Sequence, residues 1–218
     1  MDTLSSVAFT EAHADALAER GYAIIDGLLG ADGAAAVRVE LDALLAADAF
    51  RPARVGRGAG TQRADDVRSD RICWFRTTGT DDGDVGADDG VMPGPAVRAY
   101  LAALDEMRVA IARSCFLALH HLEVHAACYE PGTRYAAHKD TFVDDARRVI
   151  SACYYVNDEW RADDGGCLRL HTDPPLDVEP RADRLVLFRS ATMLHEVLRV
   201  HRRRCSLTGW MGATRAPV

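Results

Sequence analysis

The chain has 218 residues, of which 48% are hydrophobic and 27% are charged, as in ordinary soluble globular proteins. Its net charge of −7 argues against a nucleic-acid partner, because nucleic-acid binding usually requires a basic face. No run of residues approaches the roughly 20 apolar positions of a membrane span, and the N-terminus lacks the pattern of a secretory signal. We therefore expect one cytoplasmic domain over residues 1–218, without membrane contact.

The N-terminal part is predicted to be mainly helical. Thr10 is a suitable N-cap for a helix that runs to about Arg20, with Gly21 just beyond its end. Residues 22–26 then form a short predicted strand. An Ala- and Leu-rich stretch at 31–47 has helical apolar spacing and predicts a second helix.

The next segment alternates loops with regular elements. Residues 51–66 are rich in Arg and Gly and are predicted to form a basic loop, and residues 72–75 a strand. Residues 77–90 are acidic and Gly-rich, but their spacing does not match a calcium-binding loop. Pro95 is well suited to the first position of a third helix that runs to about Phe116.

From Leu122 onward, short apolar runs alternate with turns that contain Gly and Pro. This pattern indicates many short strands and therefore a β-sandwich or barrel. The predicted fold is of the α+β class, with a double-stranded β-helix (jelly-roll) core at about 118–212 buttressed by a helical N-terminal part at about 1–117. The runs lie at 122–129, 134–138, 149–156, 167–170, 184–188 and 205–210.

The six cysteines include no Cys-x-x-Cys pair, which argues against a zinc ribbon or a thioredoxin-type site. Most of them lie within apolar runs, and we expect them to be buried free thiols.

A candidate metal site begins at His138 and Asp140. Residues two apart on a strand point to the same face, so both side chains could reach one ion. The spacing alone is weak evidence, because a second triplet of the same kind occurs at His171 and Asp173. Proline follows that second triplet at once, which predicts that it lies in a surface turn.

His195 completes the first set, since the chain between Asp140 and His195 is long enough for three or four strands that return to the same place. Two histidines and one carboxylate form the facial triad of non-haem iron(II) oxygenases. Such an ion requires a co-substrate, and 2-oxoglutarate could chelate it while Arg204 on a neighbouring strand binds the distal carboxylate. On spacing alone, the alternative that these are scattered polar residues stays open.

The segment from 125 to 210 also resembles the prolyl 4-hydroxylases of the hypoxia-inducible-factor type and their bacterial relatives, within the iron(II)- and 2-oxoglutarate-dependent oxygenases. The order of the shared motifs makes this more specific than the triad alone. The motifs are Cys128-Tyr129, Gly132-Thr133, Tyr135, His138 with Asp140, 153–157, Trp160, 165–169, Glu179-Pro180, 183–185, 195–197, Arg204 and 208–210, preceded by 67–74.

The resemblance implies roles for six of these residues. His138, Asp140 and His195 would bind iron(II), and Arg204 and Tyr155 would bind the distal carboxylate of 2-oxoglutarate. Tyr129 would line the co-substrate pocket, although core packing is the alternative for both tyrosines. Dioxygen is the oxidant, and ascorbate is an expected stimulant.

The resemblance further implies that the loop at 51–66 closes over the substrate, although its Arg and Gly content departs from the family pattern. The implied reaction hydroxylates a prolyl residue in a protein, for the bacterial relatives a proline of elongation factor Tu, with release of succinate and carbon dioxide. A free amino acid or other small molecule is the alternative substrate. A metal-binding sensor module without catalysis is the alternative function.

Overall fold

The computed structural model describes residues 9–54, 64, 66–76, 90–141 and 148–213. Within these residues lie three α-helices and eleven β-strands. The helices are α1 (Glu11–Glu19), α2 (Gly30–Ala46) and α3 (Pro95–Ser114). The strands are β1 (Tyr22–Asp26), β2 (Arg51–Pro52), β3 (Arg71–Trp74), β4 (His121–Tyr129), β5 (Tyr135–His138), β6 (Arg148–Tyr155), β7 (Leu168–Leu170), β8 (Leu176–Val178), β9 (Arg184–Arg189), β10 (His195–Val197) and β11 (Arg204–Gly212).

The helix boundaries follow the predicted caps. The Thr10 hydroxyl accepts a hydrogen bond from the His13 amide at 3.3 Å, and Gly21 beyond α1 adopts a φ of 79°. The N-terminus of α3 is capped from another helix, since the Glu40 carboxylate accepts hydrogen bonds from the amides of Ala96 and Val97 at 3.0 and 3.2 Å. An acidic side chain is favourable there because a helix N-terminus carries a partial positive charge.

The strands form two antiparallel sheets. The larger has the order β1-β9-β6-β11-β4-β3-β2 and the smaller the order β5-β10-β7-β8. From β4 to β11 the chain passes between the two sheets as it does in a jelly roll, with β7 and β8 as a hairpin in the smaller sheet. The predicted α+β class and jelly-roll core are confirmed. The boundary near residue 117 between the helical part and the jelly-roll core stays a prediction. The strands β1, β2 and β3 precede that boundary in the sequence but belong to the larger sheet.

Two cores lie on opposite faces of the larger sheet. On the outer face, α3 buries Val97, Tyr100, Leu104, Met107 and Ile111 at helical spacing. These side chains pack with those of β4, β6, β9 and β11 that point toward the helices. On the inner face, smaller clusters fill the space between the two sheets. Strand β6 is therefore buried on both sides.

Several predictions of local structure need correction. The strands β2 and β8 were not predicted, because such short runs carry too little periodicity to be recognised, whereas β10 corresponds to the strand expected at His195. The prediction of free thiols is wrong for Cys128 and Cys205, which form a disulfide with a Cα–Cα distance of 4.4 Å. They face each other across β4 and β11, although 77 positions separate them in the sequence. The predicted loops at 51–66 and 77–90 lie largely outside the described residues.

No helix within the described residues is both long and apolar enough to cross a membrane.

Candidate metal centre

Three side chains predicted as ligands lie together at one end of the inner space between the sheets. His138 is the last residue of β5, His195 is the first residue of β10, and the two are directly paired across the smaller sheet. One ligand atom each of His138, Asp140 and His195 lies within 4.8 Å of the others. It is the one such group among the residues that the structure describes.

Both imidazole rings present the same nitrogen to this point. Nδ1 of His138 is 2.8 Å from the carbonyl oxygen of Ala136, and Nδ1 of His195 is 3.1 Å from that of Met193. A carbonyl oxygen accepts only, so Nδ1 carries the proton in each neutral ring. The Nε2 lone pairs are then free to bind a cation, and they lie 3.5 and 3.7 Å from the Asp140 carboxylate.

Asp140 reaches the site differently from the way its spacing suggested. Strand β5 ends at His138, so Asp140 lies in a bend beyond the strand rather than on the same strand face. Its carboxylate accepts a hydrogen bond from the Ser151 hydroxyl at 2.6 Å, and Ser151 in turn lies 2.8 Å from the hydroxyl of Ser190. The two buried serines on the larger sheet therefore orient a ligand that the smaller sheet supplies.

Aromatic rings support both histidines. The Tyr135 ring stacks on His138 with centroids 3.7 Å apart, and Phe188 lies 4.5 Å from His195. The guanidinium of Arg68 lies 4.4 Å from the centroid of Tyr135. Asp70, which is 2% exposed, receives two hydrogen bonds from Arg68 at 2.6 and 2.8 Å, so the stack ends in a buried ion pair.

The electrostatics of the site favour an ionised carboxylate. Burial by itself would raise the pKa of Asp140, but the adjacent imidazoles of His138 and His195 and the hydrogen bond from the Ser151 hydroxyl outweigh it. The pKa of Asp140 is thus held well below its ordinary value. Burial lowers the pKa of His195 and keeps its imidazole neutral, although Asp140 partly opposes this shift. Two imidazoles that direct Nε2 toward an ionised carboxylate form a set of metal ligands.

Arg204 lies on the inner face of the larger sheet, at the start of β11. Its side chain is 2% exposed, and its Nε donates to the carbonyl oxygen of Gly166 at 2.9 Å. No carboxylate among the described residues pairs with it. Since a buried guanidinium requires compensation, this position fits an anionic ligand. Arg204 and His195 lie on successive strands, but these strands belong to opposite sheets rather than being neighbours in one.

Two tyrosines flank that guanidinium. Its central carbon is 5.0 Å from the ring of Tyr129 and 4.9 Å from the ring of Tyr155. The Tyr155 hydroxyl is buried without a hydrogen-bond partner. Burial raises the pKa of Tyr155 well above its ordinary value, with Arg204 offsetting part of the shift. The hydroxyl therefore stays protonated and can donate to an acceptor beside Arg204.

Gly166 explains part of the sequence pattern near this arginine. Its φ is 62°, a conformation that side-chain-bearing residues rarely adopt. A Cβ atom there would lie 3.2 Å from Cδ of Arg204 and 3.2 Å from Val200. Glycine thus allows the backbone to approach closely enough to accept the hydrogen bond from Arg204.

The competing triplet at His171 and Asp173 lies elsewhere, as predicted. Both residues are exposed, and Nε2 of His171 is 3.1 Å from the Glu196 carboxylate. The predicted mobile loop at 51–66 is described only at 51–54, 64 and 66, and the rest of it lies outside the described residues.

Sequence reasoning assigned no role to several residues that contact the site. Tyr135, Arg68 and Asp70 belonged to the motifs of the resemblance but carried no predicted function. Ser151 gave no signal, because a serine within an apolar run is indistinguishable from a core residue until its partner is known.

Comparison with known proteins gives consistent matches. Residues 124–212 match the sequence profile of the 2OG-Fe(II) oxygenase superfamily. A crystal structure of a prolyl-4-hydroxylase from Pseudomonas putida is 36% identical, covers 92% of this chain and 97% of that one, and has a TM-score of 0.77.

Two further relatives agree. A hypoxia-inducible factor prolyl hydroxylase of Caenorhabditis elegans is 32% identical over 203 residues, which are 89% of this chain and 27% of that protein. The chain thus spans about a quarter of the length of that relative. A prolyl hydroxylase from Trichoplax adhaerens, solved with a fragment of the oxygen degradation domain of hypoxia inducible factor, is 24% identical with a TM-score of 0.76 over 92% of this chain and 87% of that one. This last likeness concerns the fold.

Proposed function

The chain belongs to the prolyl hydroxylases of the 2OG-Fe(II) oxygenase superfamily, and from that premise we propose that it hydroxylates a prolyl residue within a protein. The family uses iron(II), 2-oxoglutarate and dioxygen. Bound together, these oxidise a C–H bond to C–OH while 2-oxoglutarate loses carbon dioxide to become succinate, so that one oxygen atom enters each product.

In the proposed site, His138, Asp140 and His195 hold the iron. The convergence of their ligand atoms within 4.8 Å is the observation that carries this assignment. The donor set suits the metal, because two imidazoles and one carboxylate on one side of an octahedral ion leave the other side open for ligands. Ser151 and the carbonyl oxygens of Ala136 and Met193 orient the ligands from behind.

Arg204 and Tyr155 bind the distal carboxylate of 2-oxoglutarate in this proposal, and Tyr129 lines the co-substrate pocket beside them. Three properties support it: the guanidinium is buried, no carboxylate among the described residues pairs with it, and the Tyr155 hydroxyl is a buried donor without a partner. An anion that occupied this place would satisfy both groups at once.

The residues of the chain would also exclude water and hold the reacting groups in one geometry. Tyr135 packs against the ring of His138 and Phe188 against the ring of His195, so that each imidazole has little freedom to turn. Positioning of this kind is what the protein contributes to cofactor chemistry.

The proposed substrate is a prolyl residue in a protein, and specifically one in elongation factor Tu. Identity of 36% to the Pseudomonas putida prolyl-4-hydroxylase, over nearly the whole length of both chains, supports the prolyl part of this proposal. Ascorbate is expected to stimulate turnover by keeping the iron reduced.

Intact-protein mass spectrometry tests the proposal directly. Elongation factor Tu from the source organism is incubated with the protein, iron(II), 2-oxoglutarate and ascorbate, with Asp140→Ala as the control. The expected result is a gain of one oxygen atom that maps to a proline and is absent with the control variant.

The other outcomes are equally informative. No gain, together with succinate formation on other substrates, would reject elongation factor Tu and favour another protein or a small molecule. No succinate with any substrate, despite metal binding, would favour a non-catalytic sensor module.

A further inference from the structure

Buried polar atoms without a hydrogen-bond partner are rare in folded proteins, and three of the four that the described residues contain lie on the inner face of the larger sheet. Four such side-chain atoms occur among the described residues: the hydroxyls of Tyr100 and Tyr155, Nδ1 of His125 and Nε1 of Trp210. Tyr100 lies in the helix-facing core. The other three belong to β4, β6 and β11, the central strands of the larger sheet. Tyr155 is proposed to bind the distal carboxylate, whereas His125 and Trp210 belong to neither the proposed metal site nor the proposed carboxylate site.

His125 lies on the inner face of β4. Alternate residues of a strand share a face, so His125 points to the same side as Tyr129. Directly opposite His125 on β11 is Thr208, which shares the inner face with Arg204. His125 is four residues from Tyr129, or about 13 Å along the strand. It is therefore located well away from the proposed site of the distal carboxylate.

The position of His125 along the sheet corresponds to the metal end of the pocket. The neighbouring pair on the inner face of β6 and β11 is Ser151 opposite Trp210, and the Ser151 hydroxyl holds Asp140. The ring of Trp210 stacks on His125 with centroids 5.2 Å apart. His125 thus contacts the residue directly beside the one that orients a metal ligand.

Two tryptophans fix the His125 ring. Trp74 on β3 is paired with His125, and the centroids of their rings are 4.8 Å apart. Trp210 on β11, the strand on the other side of β4, also packs against the His125 ring. Trp210 is itself held by the guanidinium of Arg148, 3.5 Å from its centroid, and Arg148 pairs with Glu123 at 3.1 Å. A ring held in this way has little freedom to turn, so the direction of its Nδ1 is set in advance.

His125 is a neutral group. Its exposure is only 3%, and burial lowers its pKa well below the ordinary value, with Arg68 and Arg148 lowering it further and Asp140 partly opposing them. A neutral imidazole carries one N–H donor and one acceptor. It can therefore donate a hydrogen bond to a carboxylate oxygen without adding a charge to the site.

We propose that His125 is a positioning residue that donates from Nδ1 to the metal-proximal carboxylate, the one beside the keto group, of the bound 2-oxo acid. This inference rests on the proposed function, because it requires the co-substrate to bind between Arg204 and the metal. Arg204 and Tyr155 then hold one end of the co-substrate and His125 holds the other.

Substitutions at His125 test the proposal atom by atom. His125→Asn places an amide close to the position of Nδ1, whereas His125→Gln carries the same amide one carbon further out. His125→Phe keeps an aromatic ring between the tryptophans and removes both nitrogens. Thermal unfolding and manganese(II) affinity of each variant are measured first, so that damage to the fold or to the metal site is recognised.

Binding is then measured by calorimetry on the manganese(II)-loaded protein, in which no turnover occurs. The two probes are 2-oxoglutarate and succinate, because succinate retains the distal carboxylate but lacks the keto acid end. His125→Phe is expected to weaken 2-oxoglutarate binding by about tenfold to a hundredfold, the usual effect of losing a hydrogen bond to a charged group, and to leave succinate affinity unchanged. Tyr155→Phe, the matched control, is expected to weaken both ligands.

The pattern of losses decides the matter. The proposal predicts that His125→Asn retains more 2-oxoglutarate affinity than His125→Gln, a comparison that remains valid if His125→Phe fails to fold. Equal losses in Asn and Gln, an equal loss of succinate affinity, or unchanged 2-oxoglutarate affinity in His125→Phe would each overturn it. Failure of the proposed function is distinct, since the unaltered manganese(II) protein would then bind no 2-oxoglutarate.

Discussion

The two faces of the larger sheet are both buried, yet they differ in chemistry. Along β6, Ile150, Ala152 and Tyr154 point toward the helices, whereas the alternate residues Ser151 and Tyr155 point into the space between the sheets. The Tyr154 hydroxyl donates to Asp183 at 2.9 Å, but the Tyr155 hydroxyl has no partner. The Tyr154 hydroxyl is therefore satisfied within the protein, whereas the Tyr155 hydroxyl is available to a ligand.

The difference separates stability from function within one strand. On the outer face Asp183 also accepts a hydrogen bond from the Leu29 amide at 2.8 Å, so the pair of Tyr154 and Asp183 is satisfied within the protein, and the Tyr100 hydroxyl is the exception on this face. On the inner face Arg204, Tyr155 and His125 are buried with unmet capacity for hydrogen bonding or charge pairing. Burying such groups costs free energy unless a ligand completes them. Substitutions on the inner face should therefore change binding, and those on the outer face should change folding.

The largest effect is expected at Asp140. Asp140→Ala removes the one carboxylate among the three proposed ligands, and turnover, measured as succinate release, should fall below detection. The midpoint of thermal unfolding should change little, because Ser151 keeps Ser190 as a partner. Substantial succinate release by this variant would contradict the proposed iron site.

Arg204→Gln should weaken 2-oxoglutarate binding strongly. Removing one partner of a buried charge pair costs about 2–5 kcal/mol, which corresponds to roughly 30- to 4000-fold in affinity. Calorimetry on the manganese(II)-loaded variant provides the measurement. Arg203→Gln is the matched control, since the neighbouring arginine is exposed and pairs with Glu130. Similar affinities in the two variants would show that the co-substrate does not use Arg204.

On the outer face, Leu104→Ala should have the opposite profile. Leu104 is fully buried in α3 and packs near Gly209 of β11. The cavity should lower the free energy of unfolding by about 2–5 kcal/mol while co-substrate affinity stays the same. Chemical denaturation measures the first quantity and calorimetry the second. Val39→Ala, at an exposed position of α2, is the control. A large loss of co-substrate affinity in Leu104→Ala would show that the outer face also contributes to binding.

Ser151→Ala should produce a smaller effect on the inner face. The loss of a hydrogen bond that orients a metal ligand typically weakens metal binding about 10- to 100-fold. Competition with a metal chelator measures this affinity. Ser190→Ala, which leaves the bond from Ser151 to Asp140 in place, should weaken it less. The reverse order would mean that Ser151 does not orient the ligand.

The smallest effect is expected at His171, the histidine of the second triplet. His171→Ala removes an exposed pair with Glu196, so the free energy of unfolding should change by less than about 0.5 kcal/mol. Iron content after dialysis, measured by elemental analysis, should equal that of the unaltered protein. Loss of iron from this variant would show that the wrong triplet had been chosen.

The sequence predicted what depends on local pattern and failed where distant strands meet. The caps at Thr10 and Pro95 and the long strands follow from short-range physical chemistry, and the structure confirms them. The pairing of Cys128 with Cys205 depends on the register between β4 and β11, which no local pattern encodes. Asp140 was predicted to lie on the same strand as His138, because a spacing of two residues is typical of a strand face. The strand ends at His138, and Asp140 lies in the bend that follows.

The same limit applies to the site. The spacing of His138, Asp140 and His195 suggested a cluster, but the roles of Ser151 and His125 emerge only when the inner faces of β4, β6 and β11 are brought side by side. A serine or histidine within an apolar run is usually a core residue. Ser151 differs from a core residue because its hydroxyl donates a hydrogen bond to Asp140. His125 differs because its buried Nδ1 has no hydrogen-bond partner.

The strongest test of the proposed site is a crystal structure of the protein with manganese(II) and 2-oxoglutarate. We expect the metal to bind Nε2 of His138, Nε2 of His195 and the carboxylate of Asp140, with the distal carboxylate of the co-substrate between Arg204 and Tyr155. A metal bound elsewhere, or a co-substrate that leaves Arg204 without an anionic partner, would contradict the assignment of the inner face to catalysis.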